Sequence, residues 1–386
     1  MEQQQRIEEI CDFCESLCST PFNEEIRAWK EDGGKVIGVL YNQVPEEIIH
    51  AAGALPVRLR AQQSTGTEGA AGRFTQVNCS LVKHFYDSAA KGQFDFIDGL
   101  VATNACDHAR KLEENWASEL KPPYARLICF PKRRGAELEV DKLAREYAAF
   151  RESLADELGL VATDEDLAAS IELFNEIRAL QMRLADLRGR ENPPISGRQA
   201  LAVAMAGTVM PKEKYRDLLA ELVAAAEEAP GIDDYRARVV LYGGEIDSLD
   251  LLEAIESQGA LIVGDSLGGY GRRSADMQVS LEGDLVRNLA EAYLQGRPSE
   301  PRLHGTRADR WAYLESVADA VGADGYIQVH IPICDLWSYE RIMFDTEVEK
   351  KGLACLDLET EYIFSTPGQT RTRVQAFVES LTEGGR

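Results

Sequence analysis

FDFIDGLVATNACDHAR, from Phe94 to Arg110, is an apolar and β-branched run that ends abruptly at Cys106. A second stretch, DGYIQVHIPICDLWSYER from Asp324 to Arg341, has the same form and ends at Cys334. In both stretches an aspartate follows the cysteine and a helical pattern begins. A short apolar run rich in β-branched residues predicts a buried strand. We therefore expect two similar strands, each of which delivers a cysteine to the start of a helix.

Each of these strands follows a strand–helix–strand unit in the sequence. The first unit is KVIGVLYNQVPEEIIHAAGALPVRL, Lys35 to Leu59, and the second is ARVVLYGGEIDSLDLLEAIESQGALIVGDS, Ala237 to Ser266. Strands that alternate with helices form parallel sheets with helices on both faces. The chain is therefore predicted to have an α/β fold with two doubly wound parallel-sheet lobes.

The segments outside these lobes have helical patterns. A chain of 386 residues favours two domains, and the stretch between the two units is almost wholly helical. We predict an N-terminal helical segment over 1–30, a first lobe over 31–135, a helical connector over 136–230 and a second lobe over 231–386.

The composition excludes several classes of function. The chain carries 65 acidic and 42 basic residues, a net charge of -23, which argues against nucleic acid as a partner because phosphate binding requires a basic face. No apolar stretch approaches the 18 residues or more that a membrane-spanning helix needs. The polar, acidic N-terminus lacks the features of a targeting peptide. These features predict a cytoplasmic protein with no membrane segment.

Three of the eight cysteines occupy positions that suit ligand binding. Cys106 and Cys334 follow strands, and ligands of open parallel sheets bind outside the carboxyl ends of the strands. Cys79 begins a predicted helix, where unpaired N–H groups and the helix dipole favour a thiolate. Three thiolates suit either an open zinc site or a cubane iron–sulfur cluster. Spacing alone leaves three possibilities open, which are a zinc site, an iron–sulfur cluster and three unrelated buried cysteines.

The other five cysteines have simpler interpretations. Cys11, Cys14 and Cys18 recur at helical spacing beside apolar residues and are predicted to form a packing stripe. Cys129 and Cys355 lie within apolar strands and are predicted to be small buried hydrophobic residues. The aspartates that follow the two strand-end cysteines are expected to cap the next helices.

Several segments, in order over nearly the whole chain, carry a resemblance to a known family. They are IGVLYNQVPEEIIHAAGALPVRL, NCSLVK, NACDHARKLEENW, YGGEIDSLDLLEAIESQGALIVGDSLGGYGRR, ICDLWSYE and GLACLDLETEY. Together they resemble the 2-hydroxyacyl-CoA dehydratase/benzoyl-CoA reductase family. The resemblance implies that Cys79, Cys106 and Cys334 hold an iron–sulfur cluster in the cleft between the lobes. It implies a [4Fe-4S] cluster, either alone or as part of a double-cubane [8Fe-9S] cluster.

The resemblance also implies partners and a reaction. Members of this family pair with a paralogous cluster-carrying subunit and receive electrons from an ATP-hydrolysing iron–sulfur activator, with ferredoxin upstream. TNACDHARKLEENW and NCSLVKHFYDSAAKG resemble the reductases more than the dehydratases. We therefore expect a subunit of an ATP-dependent benzoyl-CoA reductase. The alternatives are a subunit of an (R)-2-hydroxyacyl-CoA dehydratase and a non-catalytic electron-relay subunit.

Further candidate residues follow from the strand-end rule. Asn42 is a candidate hydrogen-bond donor to a thioester carbonyl, and Glu47 and His50 are candidate proton carriers. Glu47 has the alternative role of complementing the helix dipole. Lys132 and Arg133 follow another predicted strand and are candidates for binding the phosphates of CoA. The chain has no GxxxxGK[ST] phosphate loop, so ATP is expected only on partner subunits.

Overall fold

The computed structural model describes residues 2–383, which contain two parallel four-stranded sheets. The first sheet has the order β2-β1-β3-β4 and the second has the order β6-β5-β7-β8. The strands are β1 (Val36–Leu40), β2 (Leu55–Arg58), β3 (Gly99–Thr103), β4 (Ala125–Ile128), β5 (Ala237–Gly243), β6 (Ala260–Leu267), β7 (Gly325–His330) and β8 (Cys355–Glu359). The two sheets therefore share one topology, and the prediction of an α/β fold with two parallel-sheet lobes is confirmed.

Helices cover both faces of the sheets and form the segment between them. They are α1 (Glu2–Cys18), α2 (Glu24–Glu31), α3 (Glu46–Ala51), α4 (Ser80–Ala90), α5 (Asp107–Asn115), α6 (Glu137–Leu158), α7 (Asp164–Leu187), α8 (Gly197–Ala206), α9 (Lys212–Glu228), α10 (Leu249–Glu256), α11 (Arg272–Ala275), α12 (Leu285–Glu291), α13 (Arg307–Val321), α14 (Asp335–Lys351) and α15 (Pro367–Glu383). Single π-helical turns follow α5 and α12, and a short 3₁₀ turn precedes α4.

The central strands are apolar because helices cover them on both sides. Every residue of β1, β3 and β7 is buried, which matches the continuous apolar runs in the sequence. In the first sheet, Ile37 of β1 pairs in register with Gly99 of β3, and in the second, Val239 of β5 pairs with Gly325 of β7. Each lobe therefore presents the carboxyl ends of its two central strands side by side.

The N-terminal helix α1 packs on the connector helices α8 and α9. Its buried face contains Cys11, Cys14 and Cys18, and each of these side chains is at most 5% exposed. Burial raises the pKa of the Cys11 thiol to about 12, so the thiol stays neutral. The prediction of a packing stripe is confirmed.

The prediction that Cys129 is buried is wrong. Cys129 is exposed, and Cys355 is only half-buried. Cys129 lies one residue beyond β4, the edge strand of the first sheet, and its backbone N–H donates to Glu146 of α6 at 3.2 Å while its side chain stays exposed. Apolar neighbours in the sequence do not reveal whether a strand lies at the edge of a sheet.

One segment of the second half of the chain packs on the first lobe. Met277, Leu289 and Leu303 belong to the same buried cluster as Ile37 and Tyr147. Helix α12, which contains Leu289, packs against α6. This segment follows the second sheet's strands β5 and β6 in the sequence but packs on the first lobe in space. The four domain ranges remain a prediction.

Hydrogen bonds also join the two lobes directly. The Asn42 amide donates to the Gly268 carbonyl at 2.6 Å, and Arg60 lies 3.3 Å from the Asp247 carboxylate. The Tyr362 hydroxyl accepts a hydrogen bond from the Ala61 N–H of the first lobe at 3.0 Å and donates to the same Asp247 carboxylate at 2.9 Å. The lobes therefore form a closed cleft between their strand ends. Across the described residues, no helix combines the length and apolar character needed to cross a membrane.

Candidate metal centre

Cys79, Cys106 and Cys334 occupy the same local position, because each is the residue immediately before a helix. They are the N-caps of α4, α5 and α14, with extended backbone conformations. The expectation that the aspartates after Cys106 and Cys334 cap these helices is wrong: Asp107 and Asp335 are the first helical residues. The thiols thus occupy the position where orphan N–H groups of the first turn find acceptors.

The cap geometry orients the thiols. The Cys106 sulfur accepts a hydrogen bond from the Ala109 N–H at 3.3 Å. The Cys79 N–H donates to Nδ1 of His108 at 3.4 Å, and Nε2 of His108 lies 3.3 Å from the Asp335 carboxylate. The buried His108 ring therefore links all three cysteine-bearing loops.

The three cysteines line one cavity between the lobes, with about 750 Å³ of empty space that includes its solvent-open part. Its walls come from both halves of the chain. The lining residues are Tyr41, Asn42, Gln43, Cys79, Leu81, Ala105, Cys106, Gly244, Glu245, Ile246, Gly268, Glu300, Pro301, Ile331, Cys334, Leu336 and Trp337. The structure thus brings together three cysteines that are separated by up to 255 positions in the sequence.

Burial keeps these thiols protonated when no metal is bound. It raises the pKa of Cys79 and of Cys106 to about 12, and it also raises the pKa of Cys334. Neighbouring thiols add to the effect on Cys79, while helix N–H groups oppose it. A metal must therefore displace protons when it binds, as thiolate sites generally require.

The donors at the cavity are three thiols that come from three separate helix starts. In a cubane iron–sulfur cluster, each cysteine binds a different iron, so such a cluster needs thiols that surround a volume. Three sulfur donors on the wall of one cavity suit that requirement. Within residues 2–383, no group of three histidine, cysteine or acidic side chains lies close enough together to hold a single metal ion.

Two non-glycine residues beside the cavity have left-handed backbone conformations. Tyr41, which follows β1, has φ 71°, and Ile333, which precedes Cys334, has φ 61°. Such conformations cost about 1–3 kcal/mol and persist only where the surrounding structure enforces them. The loops that border the cavity are therefore held in shape by the fold around them.

Glu245 brings a carboxyl group to the cavity wall. It follows the two glycines at the end of β5, and its carboxylate packs against Gly269. Burial raises the pKa of Glu245 to about 7, and nearby Arg58 only partly offsets this effect. At neutral pH, Glu245 can therefore hold a proton.

Asn42 is the predicted catalytic residue that the structure places at the cavity. Its amide nitrogen donates to the Gly268 carbonyl and to Ser274 Oγ, at 2.6 and 3.2 Å. Its backbone carbonyl accepts a hydrogen bond from Arg297 at 2.8 Å. The Asn42 side chain thus holds the two lobes together at the cavity rim.

Glu47 and His50 lie outside the cavity lining. Glu47 is fully buried, forms an ion pair with Arg178 and accepts a hydrogen bond from the Tyr293 hydroxyl at 2.8 Å. His50 faces the connector, where its ring nitrogens lie 3.0 Å from Ser170 Oγ and 3.1 Å from Glu213. Both side chains are engaged in fixing α3 against neighbouring helices.

Lys132 and Arg133 are exposed at the carboxyl end of β4. They are not among the residues that line the cysteine cavity. The Lys132 carbonyl accepts a hydrogen bond from the His304 N–H at 2.9 Å, which ties this loop to the second half of the chain. Their position is open to a ligand or partner that approaches from solvent.

Several residues of the cavity were not among the sequence-based candidates. Tyr41, Glu245 and Glu300 line the cavity, yet Glu300 lies in a Pro- and Gly-rich stretch with no helical or strand period. Glu245 carried a weak signal, because it follows a glycine pair at the end of an apolar strand. The others become candidates only through the fold.

Comparison with known proteins identifies relatives over nearly the whole chain. A family model described as 2-hydroxyglutaryl-CoA dehydratase, D-component, matches residues 41–381. One of the benzoyl-CoA reductase subunits of Thauera aromatica is 29% identical over 86% of this chain and 87% of its own length. The beta subunit of lactoyl-CoA dehydratase from Anaerotignum propionicum is 26% identical over 97% of this chain and 100% of its own. The (R)-phenyllactyl-CoA dehydratase beta subunit of Clostridium sporogenes is 25% identical over 95% of this chain and 96% of its own length.

Proposed function

The chain belongs to the 2-hydroxyglutaryl-CoA dehydratase D-component family, and we propose that it is the iron–sulfur subunit of an ATP-dependent benzoyl-CoA reductase. The proposed reaction converts benzoyl-CoA to cyclohexa-1,5-diene-1-carbonyl-CoA with two electrons and two protons. The likeness to the Thauera aromatica reductase subunit supports this choice of reaction.

The observation that carries the proposal is the cavity with its three N-cap cysteines. Cys79, Cys106 and Cys334 would hold the cluster, which we propose to be [4Fe-4S] or part of a double-cubane [8Fe-9S] cluster. When bound, such a cluster supplies single electrons at low potential. The helix N–H groups behind the three sulfurs favour their thiolate form.

The rest of the cavity suits a reaction from which water is excluded. Ile246, Ile331 and Trp337 are buried and give the wall an apolar character. The carboxyl groups that line it are those of Glu245 and Glu300. Exclusion of water protects reactive intermediates and strengthens the remaining electrostatic interactions. Glu245, with its pKa near 7, is the candidate to hold a proton at its carboxyl oxygen.

The predicted residues retain proposed roles that differ with their positions. Asn42 would orient a thioester at the cavity rim, while Glu47 and His50 would act by fixing α3. The exposed Lys132 and Arg133 would bind the phosphates of CoA at the surface, where cationic side chains bind anions readily.

The proposal includes partners. All three relatives described above are named as subunits, which supports a hetero-oligomer. We propose a paralogous cluster-carrying subunit, an ATP-hydrolysing iron–sulfur activator and ferredoxin as the upstream donor. An electron that reaches this chain would then be used within the heterodimer.

Anaerobic purification followed by iron and acid-labile sulfide analysis tests the cluster. We expect both elements in the native protein and a marked loss of iron in Cys106→Ser and Cys334→Ser. Cys129→Ser is the matched control, because Cys129 is exposed and lies outside the cavity. A native protein that contains zinc and no iron would contradict the proposal.

A 2-hydroxyacyl-CoA dehydratase is the second candidate, and coverage favours it. The lactoyl-CoA dehydratase subunit matches over its entire length, more than the reductase subunit does. Assays with the paralogue and activator present decide between the two. ATP-dependent consumption of benzoyl-CoA supports the reductase, and dehydration of (R)-2-hydroxyacyl-CoA supports the alternative. Cluster reduction without turnover of either substrate would indicate an electron relay.

A further inference from the structure

Buried arginines surround the cysteine cavity, although the chain as a whole is strongly acidic. Arg273, Arg297 and Arg302 are 3%, 5% and 4% exposed. The carboxylate that faces all three is that of Glu300, which also lines the cavity. Burial of a guanidinium without its own carboxylate is costly unless another negative group compensates it.

Arg302 lies behind the loop that carries Cys106. Its guanidinium donates to Gln43 Oε1 at 3.0 Å, to Asn104 Oδ1 at 3.2 Å and to the Phe130 carbonyl at 3.0 Å. Each of these partners is a neutral oxygen. Asn104 is two residues before Cys106, so Arg302 also fixes the position of this loop.

Arg302 has no carboxylate partner of its own. Among residues 2–383, no acidic group lies within ion-pair distance of it, and its Nε has no hydrogen-bond partner. Burial lowers the pKa of Arg302, while the Glu300 carboxylate and the Cys106 sulfur oppose that effect. The Arg302 guanidinium therefore faces the Cys106 sulfur, which is negatively charged when it is ionised.

Arg273 lies beside the first turn of the helix that Cys334 caps. It donates to the Ser299 carbonyl, and its guanidinium lies 5.6 Å from the centre of the Trp337 ring. Trp337 lies in the first turn of α14, which Cys334 caps, and it lines the cavity. In the part of the chain that the structure describes, Arg273 likewise has no ion-pair partner.

The local charge balance is positive. Glu300 is already engaged by Arg297 at 2.9 Å and by Gln43 at 2.6 Å, so it leaves Arg273 and Arg302 without full compensation. Glu245 is the other carboxyl in the cavity, and its pKa near 7 leaves it partly neutral. Asp335 is half exposed and lies beside His108. Arg273 and Arg302 therefore give the surroundings of the cavity an excess of positive charge, although the chain as a whole is acidic.

We propose that Arg302 and Arg273 offset the negative charge of the thiolate-ligated cluster and thereby raise its reduction potential. This inference rests on the proposed function, since it requires that Cys106 and Cys334 bind the cluster. Reduction adds one negative charge, so a nearby buried cation stabilises the reduced form more than the oxidised form. Arg302 is thus a positioning and potential-setting residue that acts from behind the ligand.

An EPR-monitored redox titration of the anaerobically purified protein tests the proposal with Arg302→Gln and Arg302→Lys. At a fixed poise, Arg302→Gln is expected to lower the ratio of reduced to oxidised cluster about tenfold, or about 59 mV for a one-electron couple. Arg302→Lys keeps the charge and is expected to stay close to the native potential. Arg307→Met is the control, because Arg307 is a half-exposed arginine five residues away that pairs with Glu347.

The outcomes separate the inference from the function on which it rests. Equal potentials for the native protein and Arg302→Gln, with full iron in both, overturn the inference alone. So does a Lys variant whose potential falls as far as that of the Gln variant. A native protein without iron overturns the proposed function. If Arg302→Gln does not retain the cluster, Arg273→Gln replaces it, with the same expected direction.

Discussion

Burial decides the protonation state of the groups that face the cavity. For the three cysteines it favours the neutral thiol, and for Glu245 it favours the neutral carboxyl. These shifts have the same physical origin, since burial removes the water that would solvate the charged form of each group. The cavity is therefore prepared for an occupant that restores charge to the sulfurs.

Glu245→Gln is expected to change the pH dependence of stability in the iron-free protein. A carboxyl whose pKa rises from 4.5 to about 7 on folding binds more protons in the native state between these values. The free energy of unfolding then falls as pH rises through this window. Glutamine removes this penalty, so the variant should gain about 1–3 kcal/mol over the native protein at pH 8 and little at pH 4.

Urea unfolding at several pH values measures this difference. Glu253→Gln, a half-exposed glutamate on α10, is the control and should show no such trend. A constant difference between Glu245→Gln and the native protein at all pH values would show that the carboxyl does not titrate in this window.

For single residues, the sequence predicts which side chains could bind a metal, but it does not predict most of the residues that surround them. Cys106 and Cys334 could be predicted because each follows an apolar strand. The role of the sulfurs as helix caps could not be predicted, because aspartate is preferred over cysteine at the N-cap. Arg302 was not predictable from local pattern, since its burial depends on contacts with residues 198 and 259 positions away.

The central strands place the cysteines, and their ends leave little free space. Gly243 is the last residue of β5, and a Cβ there would lie 2.5 Å from the Val329 carbonyl oxygen of the adjacent strand β7. A backbone carbonyl in a parallel ladder cannot move aside without loss of sheet pairing. The spacing of β5 and β7 therefore depends on glycine at this position.

Gly243→Ala is accordingly expected to lower the free energy of unfolding by about 1–3 kcal/mol, the usual cost of overpacking. Gly368→Ala is the matched control: it adds the same methyl group on α15, where no atom lies within 4 Å. That change should be neutral or slightly stabilising, because alanine favours helix more than glycine does. Equal urea midpoints for the two variants would contradict the steric argument.

The order of helices and strands was predictable from periodicity, whereas the packing of some elements was not. Alternating strands and helices indicated two parallel sheets, and the structure has them. The packing of α12 on α6 joins elements more than 125 residues apart in the sequence. The amphipathic pattern of α12 shows that one face is buried and does not identify the element that covers it.

Three distant parts of the chain meet at one buried charge. Glu47 of α3 is fully buried, forms an ion pair with Arg178 of α7 and accepts a hydrogen bond from Tyr293 of the segment after α12. Removal of one member of a buried pair leaves the other without compensation. The contact between lobe and connector therefore depends on this group.

Arg178→Met is expected to lower the free energy of unfolding by about 3–5 kcal/mol because Glu47 stays buried and unpaired. Arg183→Met, on the same helix but half exposed beside Glu227, should change it by less than about 1 kcal/mol. Adding Glu47→Gln to Arg178→Met should restore part of the loss, as measured by urea unfolding. A double variant no more stable than Arg178→Met would show that the charge is not the cause.

The position of the cysteines in the chain has a consequence for biosynthesis. Cys79 and Cys106 precede Cys334 by 255 and 228 residues, so they emerge from the ribosome well before it. The cavity cannot form until the second sheet has folded, so the first two thiols stay without the third during that interval. An occupant that is held by all three sulfurs can therefore bind only after the segment that contains Cys334 has been made and folded.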